Sequence, residues 1–326
     1  MSYFKFRKQA LTFLTAGLLA AVPYAVHAQS YPNKPVTFVV GSTPGGILDT
    51  VGRIVAKGLE KMGQPVVVQN LPGAGSSLAT AAVASAPADG YTIAMVPTSF
   101  AINPSVYTKL PFDTKRDFLP ISQSVSLANV LVVNPSLPAR TLQEFIELAK
   151  KRPGEMTYGS AGNGQSNHLS GENFKAAAGI QMNHIPYKGS SAAMVDLLGG
   201  TINAMFVDTL TATPQIKAGK LRALATSGTS RLSALPDLPT FAESGLPNFD
   251  ASSWLGVVVR KGTPPEVAAR ITSAATEVMH DPEVRAKLIA MGVQPVGSTS
   301  EQFAKFLDIQ FDNYANAVKR AGVKLD

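Results

Sequence analysis

The chain alternates short apolar runs with segments whose apolar residues recur at helical spacing. Val36–Val40 is a β-branched run, and apolar residues from Ile47 to Met62 then follow the period of an amphipathic helix. The order repeats with a strand predicted at Val66–Val68, an alanine-rich helix ending at Ala86 and a strand at Tyr91–Val96. Strands that alternate with helices predict an α/β fold with a mostly parallel sheet covered on both faces.

A second series of the same kind begins at the apolar run Val130–Val133. Thr141 and Glu144 have the spacing of a capping box and predict a helix that ends before Pro153. Further strands are predicted at Met156–Gly159, His184–Ile185, Ile202–Val207 and Leu221–Thr226. Because single cores stop growing near 300 residues, two series in a chain of this length favour two lobes.

The last part of the chain is predicted to return to the first lobe. Trp254–Val259 has the pattern of a buried strand, and helices are predicted at Pro265–His280, Pro282–Met291 and Ser300–Ala321. We expect these helices to pack on the first series, which makes the first lobe discontinuous. The predicted boundaries are residues 29–124 and 253–326 for the first lobe and residues 125–252 for the second.

The first 28 residues have the pattern of a secretory signal peptide. Lys5, Arg7 and Lys8 precede the apolar stretch Ala10–Ala21, and small residues lead to a cleavage site after Ala28. The alternative is a membrane anchor, but the stretch is much shorter than the roughly 20 residues that span a bilayer. The sequence therefore predicts an exported protein, which in a Gram-negative cell means the periplasm.

Composition excludes several classes of protein. The chain is 45% hydrophobic and only 16% charged, which is unlike a disordered chain. It has no cysteine, so disulfides, thiolate metal sites and a cysteine nucleophile are excluded. The net charge of +7 suggests a nucleic-acid partner, but three of the basic residues belong to the predicted signal peptide. We therefore expect no nucleic-acid partner.

Four loops rich in glycine and serine carry the unusual chemistry. They are Ser42–Gly46, Leu71–Ser77, Ser160–Asn167 and Tyr187–Ser191, and each follows a predicted strand and precedes a predicted helix. The first amides of a helix have no partner within it and lie at the positive end of its dipole, so they suit a small anion. The simpler reading is that such turns need glycine for conformation alone. Four of them in two lobes favour a shared cleft, with candidate residues Thr43, Pro44, Gly45, Gly46, Gly75, Ser160, Ala161, Gly162, Asn163, Ser166, Asn167 and Tyr187.

Five polar side chains, which follow one of these loops or the end of a predicted strand, are further candidates. Asp49 lies in the first turn of a helix, where a carboxylate is favourable on dipole grounds alone. Asp208 follows a predicted strand, and its carboxylate suits a ligand ammonium or hydroxyl group. Thr98 and Ser99 offer hydroxyls at a strand end, with a local turn as the alternative. His168 is either a ligand donor or a capping group.

No motif for catalysis, a cofactor or a metal is present. Gly219-Lys220 is followed by Leu221 where a phosphate loop requires serine or threonine, and no dinucleotide fingerprint occurs. The chain has neither a G-x-S-x-G elbow nor the HExxH zinc motif. We expect no catalytic residue, cofactor or metal, although an α/β hydrolase or transferase without a motif stays open.

Seven segments stand out by their order and spacing along the chain. They are YPNKPVTFVV (31–40), PGGILD (44–49), QNLPGAGS (69–76), DGYTI (89–93), YGSAGNGQSNHL (158–169), HIPYKGSSAAMVDLLGG (184–200) and FVDTL (206–210). Together they resemble one family, the periplasmic solute-binding proteins of tripartite tricarboxylate transporters. The resemblance covers essentially the whole chain after residue 28. It implies a two-lobed periplasmic binding protein, the Venus-flytrap fold, that closes on a small organic acid and delivers it to a membrane permease.

The resemblance also implies a binding mode. The first strand–helix loop, here Pro44–Gly46, would hold a ligand carboxylate, and Ser160–His168 with Asp208 would hold the distal end. Gly41–Thr43 depart from the proline and aromatic residue common there, which leaves the ligand open among di- and tricarboxylates, amino acids and aromatic acids. A monomer is expected. A receptor that signals to a membrane partner has the same fold and remains an alternative.

Overall fold

The computed structural model describes residues 31–187, 189–228 and 230–325. The predicted signal peptide lies outside these residues. The strands are β1 (Val36–Val40), β2 (Val66–Asn70), β3 (Thr92–Pro97), β4 (Phe118–Leu127), β5 (Asn129–Val133), β6 (Thr157–Ser160), β7 (Asn183–Pro186), β8 (Ala204–Asp208), β9 (Arg222–Thr226), β10 (Ser253–Arg260) and β11 (Val293–Pro295). The helices are α1 (Ile47–Leu59), α2 (Ser77–Ser85), α3 (Ser99–Val106), α4 (Leu142–Lys151), α5 (Ser166–Ala178), α6 (Ser190–Leu198), α7 (Thr209–Lys217), α8 (Pro265–His280), α9 (Pro282–Ala290) and α10 (Ser300–Ala321).

The strands form two separate sheets. The first has six strands in the order β11-β4-β10-β3-β1-β2, and the second has five in the order β7-β6-β8-β5-β9. Strand β4 extends to Leu127, beyond the predicted end of the first segment at residue 124, and β5 of the other sheet begins at Asn129. The chain thus passes from one sheet to the other at Ala128 and returns between β9 and β10.

Each sheet is mixed, whereas the alternation of strands and helices predicts mostly parallel pairing. In the first sheet β1 pairs in parallel with β2 and β3, but β10 and β11 pair antiparallel with their neighbours. In the second sheet β6 pairs in parallel with β7 and β8, and β5 is antiparallel to β8 and β9. A strand–helix–strand crossover produces parallel neighbours. Strands β5 and β10, on which the chain enters each sheet after crossing from the other, lack that crossover and run opposite to the parallel strands.

Helices cover both faces of the first sheet. On one face Val36, Phe38 and Val40 pack with buried residues of α1, α8 and α9. On the other face Val39 and Val96 pack with residues of α2, α3 and α10. Alternate residues of one strand thereby enter two cores, which is the side-chain period of a β-strand. Residues from both ends of the chain build this half of the molecule.

The second sheet also has two cores, and it contacts the first half through helices. Phe145, Phe174 and Phe206 lie in one core, and Val130, Met205 and Leu197 lie in the other. Leu169 of α5 is fully buried among residues of α3 and α10, so it joins the two halves. Among the described residues, no helix has the length and apolar character needed to cross a membrane.

Candidate functional site

A cavity of about 310 Å³ lies between the two sheets. The first half contributes residues that follow β1 and β2, the end of β3 with the two residues after it, the end of β4 and the start of β10: Ile47, Leu48, Gly75, Ser76, Pro97, Thr98, Ser99, Leu127, Ser253, Trp254 and Leu255. The second half contributes Asn129, Gln165, Ser166, Asn167, Ser190, Phe206, Val207 and Asp208. Both halves therefore contact whatever fills the cavity.

Six helices begin at this cavity, and five of them have no side-chain cap. The N-cap residues of α1, α2, α3, α5 and α6 are Gly46, Ser76, Thr98, Gln165 and Gly189, and none accepts a hydrogen bond from its own helix through a side chain. An uncapped helix leaves its first amides available to water or a ligand. The cavity therefore brings several free N–H groups and positive dipole ends together.

Helices that begin elsewhere are mostly capped by side chains. Thr141 accepts from the amide of Glu144 at the start of α4, and Thr299 forms a capping box with Gln302 at α10. Asp281 accepts from two amides at the start of α9. At α4 the predicted capping box is only half formed, because the Glu144 carboxylate accepts from Arg140 instead of Thr141. The free helix starts are thus concentrated at the cavity, which suits an anion.

The sixth helix, α7, has Asp208 as its N-cap, which is the one ionisable side chain among the described residues that line the cavity. Asp208 accepts hydrogen bonds from the amide and the hydroxyl of Thr211, at 2.9 and 2.8 Å. No lysine or arginine of the described chain is among the lining residues. Attraction for an anion therefore comes from amides and hydroxyls, while Asp208 contributes a negative charge at one side.

Two hydroxyls at the cavity also hold its wall together. Thr98 Oγ1 accepts from the backbone amide of Trp254 at 2.9 Å and so ties β3 to β10. Ser99 Oγ donates to the carbonyl of Gly75 at 2.7 Å, which fixes the turn before α2. Each oxygen keeps further capacity to bond a ligand. The two hydroxyls thus combine a structural role with a position on the cavity wall.

Asp49 is buried beneath the first loop and does not line the cavity. Its carboxylate accepts from the amide of Gly45 (2.9 Å), from Arg53 Nε (3.0 Å) and from Asn70 Nδ2 (2.8 Å). The hydrogen bond from Arg53 is the main reason that the pKa of Asp49 falls to about 2, with the Gly45 and Asn70 bonds acting in the same direction. Asn70 also donates to the carbonyl of Ser42. Asp49 therefore braces the exposed loop Thr43–Gly46.

The loop that precedes α5 is held by its own side chains. Asn167 accepts from the amides of Ala161 and His168, and His168 Nδ1 accepts from the amide of Gly164 at 3.1 Å. Ser160 Oγ accepts from the amide of Gly162. These bonds fix the loop so that Ser166 and Asn167 reach the cavity while His168 is buried behind them.

A stacked pair of histidines supports this loop from behind. The rings of His168 and His184 are 3.7 Å apart and nearly parallel, and His184 Nε2 lies 2.6 Å from Ser160 Oγ. Burial lowers the pKa of His184 to about 4, and the His168 ring next to it adds to that effect. Burial likewise lowers the pKa of His168. Both rings are therefore neutral at neutral pH, which permits their close stacking.

The histidine pair predicts a loss of stability on acidification. In the unfolded chain His184 is protonated below the usual histidine pKa of about 6.5. In the folded protein its pKa is about 4, so it stays neutral until the pH falls to that value. The free energy of unfolding should therefore fall by about 1.4 kcal/mol per pH unit across this window for that group. Urea denaturation from pH 7 to 4 measures it. His184→Gln should flatten the slope, and equal slopes in the variant and the parent protein would contradict the assignment.

The short contact between Ser160 and His184 has the distance of a nucleophile and its base. Ser160 is fully buried, however, and it is not among the residues that line the cavity. Its oxygen also accepts from Gly162 within its own loop. The pair is therefore placed to hold the loop, and a substrate in the cavity does not reach it.

Six of the candidate residues line the cavity and the others lie outside it. The six are Gly75, Thr98, Ser99, Ser166, Asn167 and Asp208. Those outside are Thr43, Pro44, Gly45, Gly46, Asp49, Ser160, Ala161, Gly162, Asn163, His168 and Tyr187, of which Tyr187 donates its hydroxyl to Asp196 at 2.6 Å. Gln165 and Ser190 also line the cavity and belong to two of the predicted loops, although they are not among the candidate residues, whereas Asn129 and Ser253 line it from outside any predicted loop. Glycine loops mark helix starts, but they do not tell which side chains of the crossing strands face inward.

A larger cavity, of about 680 Å³, lies along β9, the edge strand of the second sheet. It is lined mainly by apolar residues, including Pro135, Leu221 and Pro236. Helix α4 begins there, but the Glu144 amide in its first turn already donates to the Thr141 hydroxyl. This cavity lacks the convergence of free amides that distinguishes the cleft between the sheets.

Comparison with known proteins agrees with this geometry. Residues 51–323 match the model of the tripartite tricarboxylate transporter family receptor. The chain is 37% identical over 314 residues to protein BugT of Bordetella pertussis, covering 95% of each chain. Because the family match spans most of the sequence, the chain belongs to this family of periplasmic solute receptors.

Two solved structures have the same fold. One, described as a periplasmic transporter, is 40% identical with a TM-score of 0.76 and covers 91% of this chain and all of its own. The other is Rpa4515 of R. palustris with adipate, which is 31% identical with a TM-score of 0.77 over 90% of this chain and 99% of its own. The predicted family and the predicted two-lobed Venus-flytrap fold are confirmed.

Proposed function

We propose that this protein captures a small organic carboxylate in the cleft between its lobes and delivers it to a tripartite tricarboxylate-type permease in the membrane. The observation that carries the proposal is the set of five uncapped helix starts around one cavity. Amides at helix starts bind carboxylates without any basic side chain. The adipate bound to Rpa4515 is a carboxylate in the same fold and supports this class of ligand.

The ligand would act by joining the two lobes. We assign residues 29–124 and 253–326 to one lobe and residues 125–252 to the other. Gly75, Thr98 and Ser99 line the cavity from the first lobe, and Ser166, Asn167 and Asp208 line it from the second. A ligand that bonds both sets binds the closed state more tightly than the open one, and only such a difference shifts the equilibrium. Capture is therefore a change of lobe angle, and the protein acts as an exported monomer without cofactor or catalysis.

The remaining candidate residues would hold the loops that present the amides. Asp49 fixes the loop that contains Gly45, and His168 fixes the loop that contains Gly164. Tyr187 and Asn163 belong to loops next to the starts of α6 and α5. In this arrangement the amides contact the ligand and the buried side chains keep the amides in place.

Thermal unfolding and titration calorimetry with a panel of di- and tricarboxylates, amino acids and aromatic acids would test the proposal. A ligand at a hundredfold excess over its dissociation constant should stabilise the protein by about 2.7 kcal/mol. Uncharged amides of the same acids serve as controls, since they offer no anion to the helix starts. Lack of binding across the panel, or turnover of any compound, would contradict it.

A further inference from the structure

We propose that the cleft selects carboxylates that also carry a hydrogen-bond donor, a hydroxyl or ammonium group, and that Asn129 and Asp208 together accept from that donor. This inference rests on the proposed function and narrows its ligand class. Asn129 is only 6% exposed, yet it lines the cavity. The N–H groups at the helix starts would bind the ligand's carboxylate. Asn129 and Asp208, in contrast, present only hydrogen-bond acceptors to the ligand.

The orientation of the Asn129 amide follows from its neighbours. Its nitrogen lies 2.5 Å from the carbonyl of Ala251 and 3.1 Å from Ser253 Oγ. A carbonyl only accepts, so the NH2 group must point toward Ala251 and Oδ1 must point away from it. Within the described part of the chain no donor reaches Oδ1, and this oxygen is not sealed from solvent. Asn129 therefore presents an unpaired acceptor to the cavity.

Sheet register places Asp208 directly beside this acceptor. In the antiparallel pair of β5 and β8, Asn129 is opposite Asp208, so the two side chains emerge on the same face of the sheet. Each oxygen of Asp208 already accepts one hydrogen bond from Thr211 and has capacity for another. The result is a cluster of oxygen atoms on one side of the cavity that accept hydrogen bonds, whereas the helix starts donate them.

The two sets of groups define a ligand with two unlike ends. A ligand without a donor leaves Asn129 Oδ1 unpaired after water is displaced, and a second carboxylate next to Asp208 meets a like charge. A buried polar group that a ligand fails to pair discriminates strongly against that ligand. Asn129 also links β5 to the returning segment Ala251–Ser253, so a ligand bonded to Asn129 contacts the point where the chain crosses between lobes.

Matched ligands at two chain lengths would test the inference by calorimetry. The sets are succinate, malate and aspartate at four carbons, and adipate and 2-aminoadipate at six. We expect the hydroxyl- or ammonium-bearing member of a set to bind at least tenfold more tightly than the member without a donor. Equal affinities within each set would overturn the inference while leaving the proposed function intact. Absence of binding by any carboxylate would overturn the proposed function, and this inference with it.

Variants separate charge from hydrogen bonding. Asp208→Asn keeps an oxygen to cap α7 but loses the charge, so it should reduce the preference for ammonium-bearing ligands about tenfold and affect hydroxyl-bearing ones less. Asp281→Asn is the matched control, because Asp281 also caps a helix and does not line the cavity. Asn129→Ala should reduce the malate-to-succinate ratio, which a purely structural role would not change. Unaltered ratios in Asp208→Asn and Asn129→Ala would overturn the assignment.

Discussion

Replacing Ser166 by proline is expected to weaken carboxylate binding by about 10- to 150-fold while leaving the fold intact. Ser166 is the first residue of α5 and lines the cavity. Proline is tolerated at that position, since the helix does not use the amide that proline removes. Gln165 before it has φ −71° and ψ 157°, which is compatible with a following proline. The variant therefore deletes one N–H group, and a hydrogen bond to a charged ligand contributes about 1.5–3 kcal/mol.

Two controls isolate that amide. Ser166→Ala removes only the hydroxyl and should retain most of the affinity. Ser300→Pro makes the same backbone change at the first residue of α10, which does not line the cavity, and should leave binding unchanged. Calorimetry with the ligand identified from the panel measures all three variants. If Ser166→Pro bound as tightly as the parent protein, the helix start of α5 would not hold the carboxylate.

Truncation of Trp254 to alanine is expected to lower the free energy of unfolding by about 3–5 kcal/mol, because it empties a large buried volume. Trp254 is 1% exposed, and its ring packs edge-on against Phe303 and Phe306, with centroids 5.7 and 5.6 Å away. Its indole nitrogen also donates to Gln310 at 3.3 Å. The residue thus attaches β10 to α10, the helix from the end of the chain.

Urea denaturation at pH 7 would measure this effect. Trp254→Phe keeps much of the ring volume and should lose clearly less stability than Trp254→Ala. Ile309→Ala is a suitable control on the same helix α10, because Ile309 is an exposed apolar side chain. A cost below 1 kcal/mol for Trp254→Ala would mean that the contacts of β10 with α10 contribute little to stability.

The sequence predicts the elements with strong local patterns and misses those without them. Most strands and helices lie within a few residues of their predicted bounds, since apolar period and capping residues act locally. The sequence pattern does not predict strand β4, because the centre of this strand is polar. Ser122 and Ser124 are fully buried there, between β10 and β11. Helix α3 is short and contains Pro104, so it also lacks a clear pattern.

In the cleft, too, the sequence predicts the features that depend on local pattern and misses those that depend on distant contacts. Glycine loops predict the uncapped helix starts, because free amides and positive dipole ends depend on local backbone structure alone. The partners of a side chain depend on packing between distant segments. Asp49 and His168 are next to the loops in sequence but turn inward to brace them, whereas Asn129 has no motif and reaches the cavity only because the chain crosses between sheets there.

The position of Trp254 makes its intrinsic fluorescence a probe of the cleft. The chain contains a single tryptophan, and that residue borders the cavity at the strand where the chain returns to the first lobe. Indole emission from this protein therefore originates at one point of the cleft wall. A change in the intensity or wavelength of this emission on addition of a ligand would therefore report occupancy of the cleft, and would allow capture to be timed in solution without any attached dye.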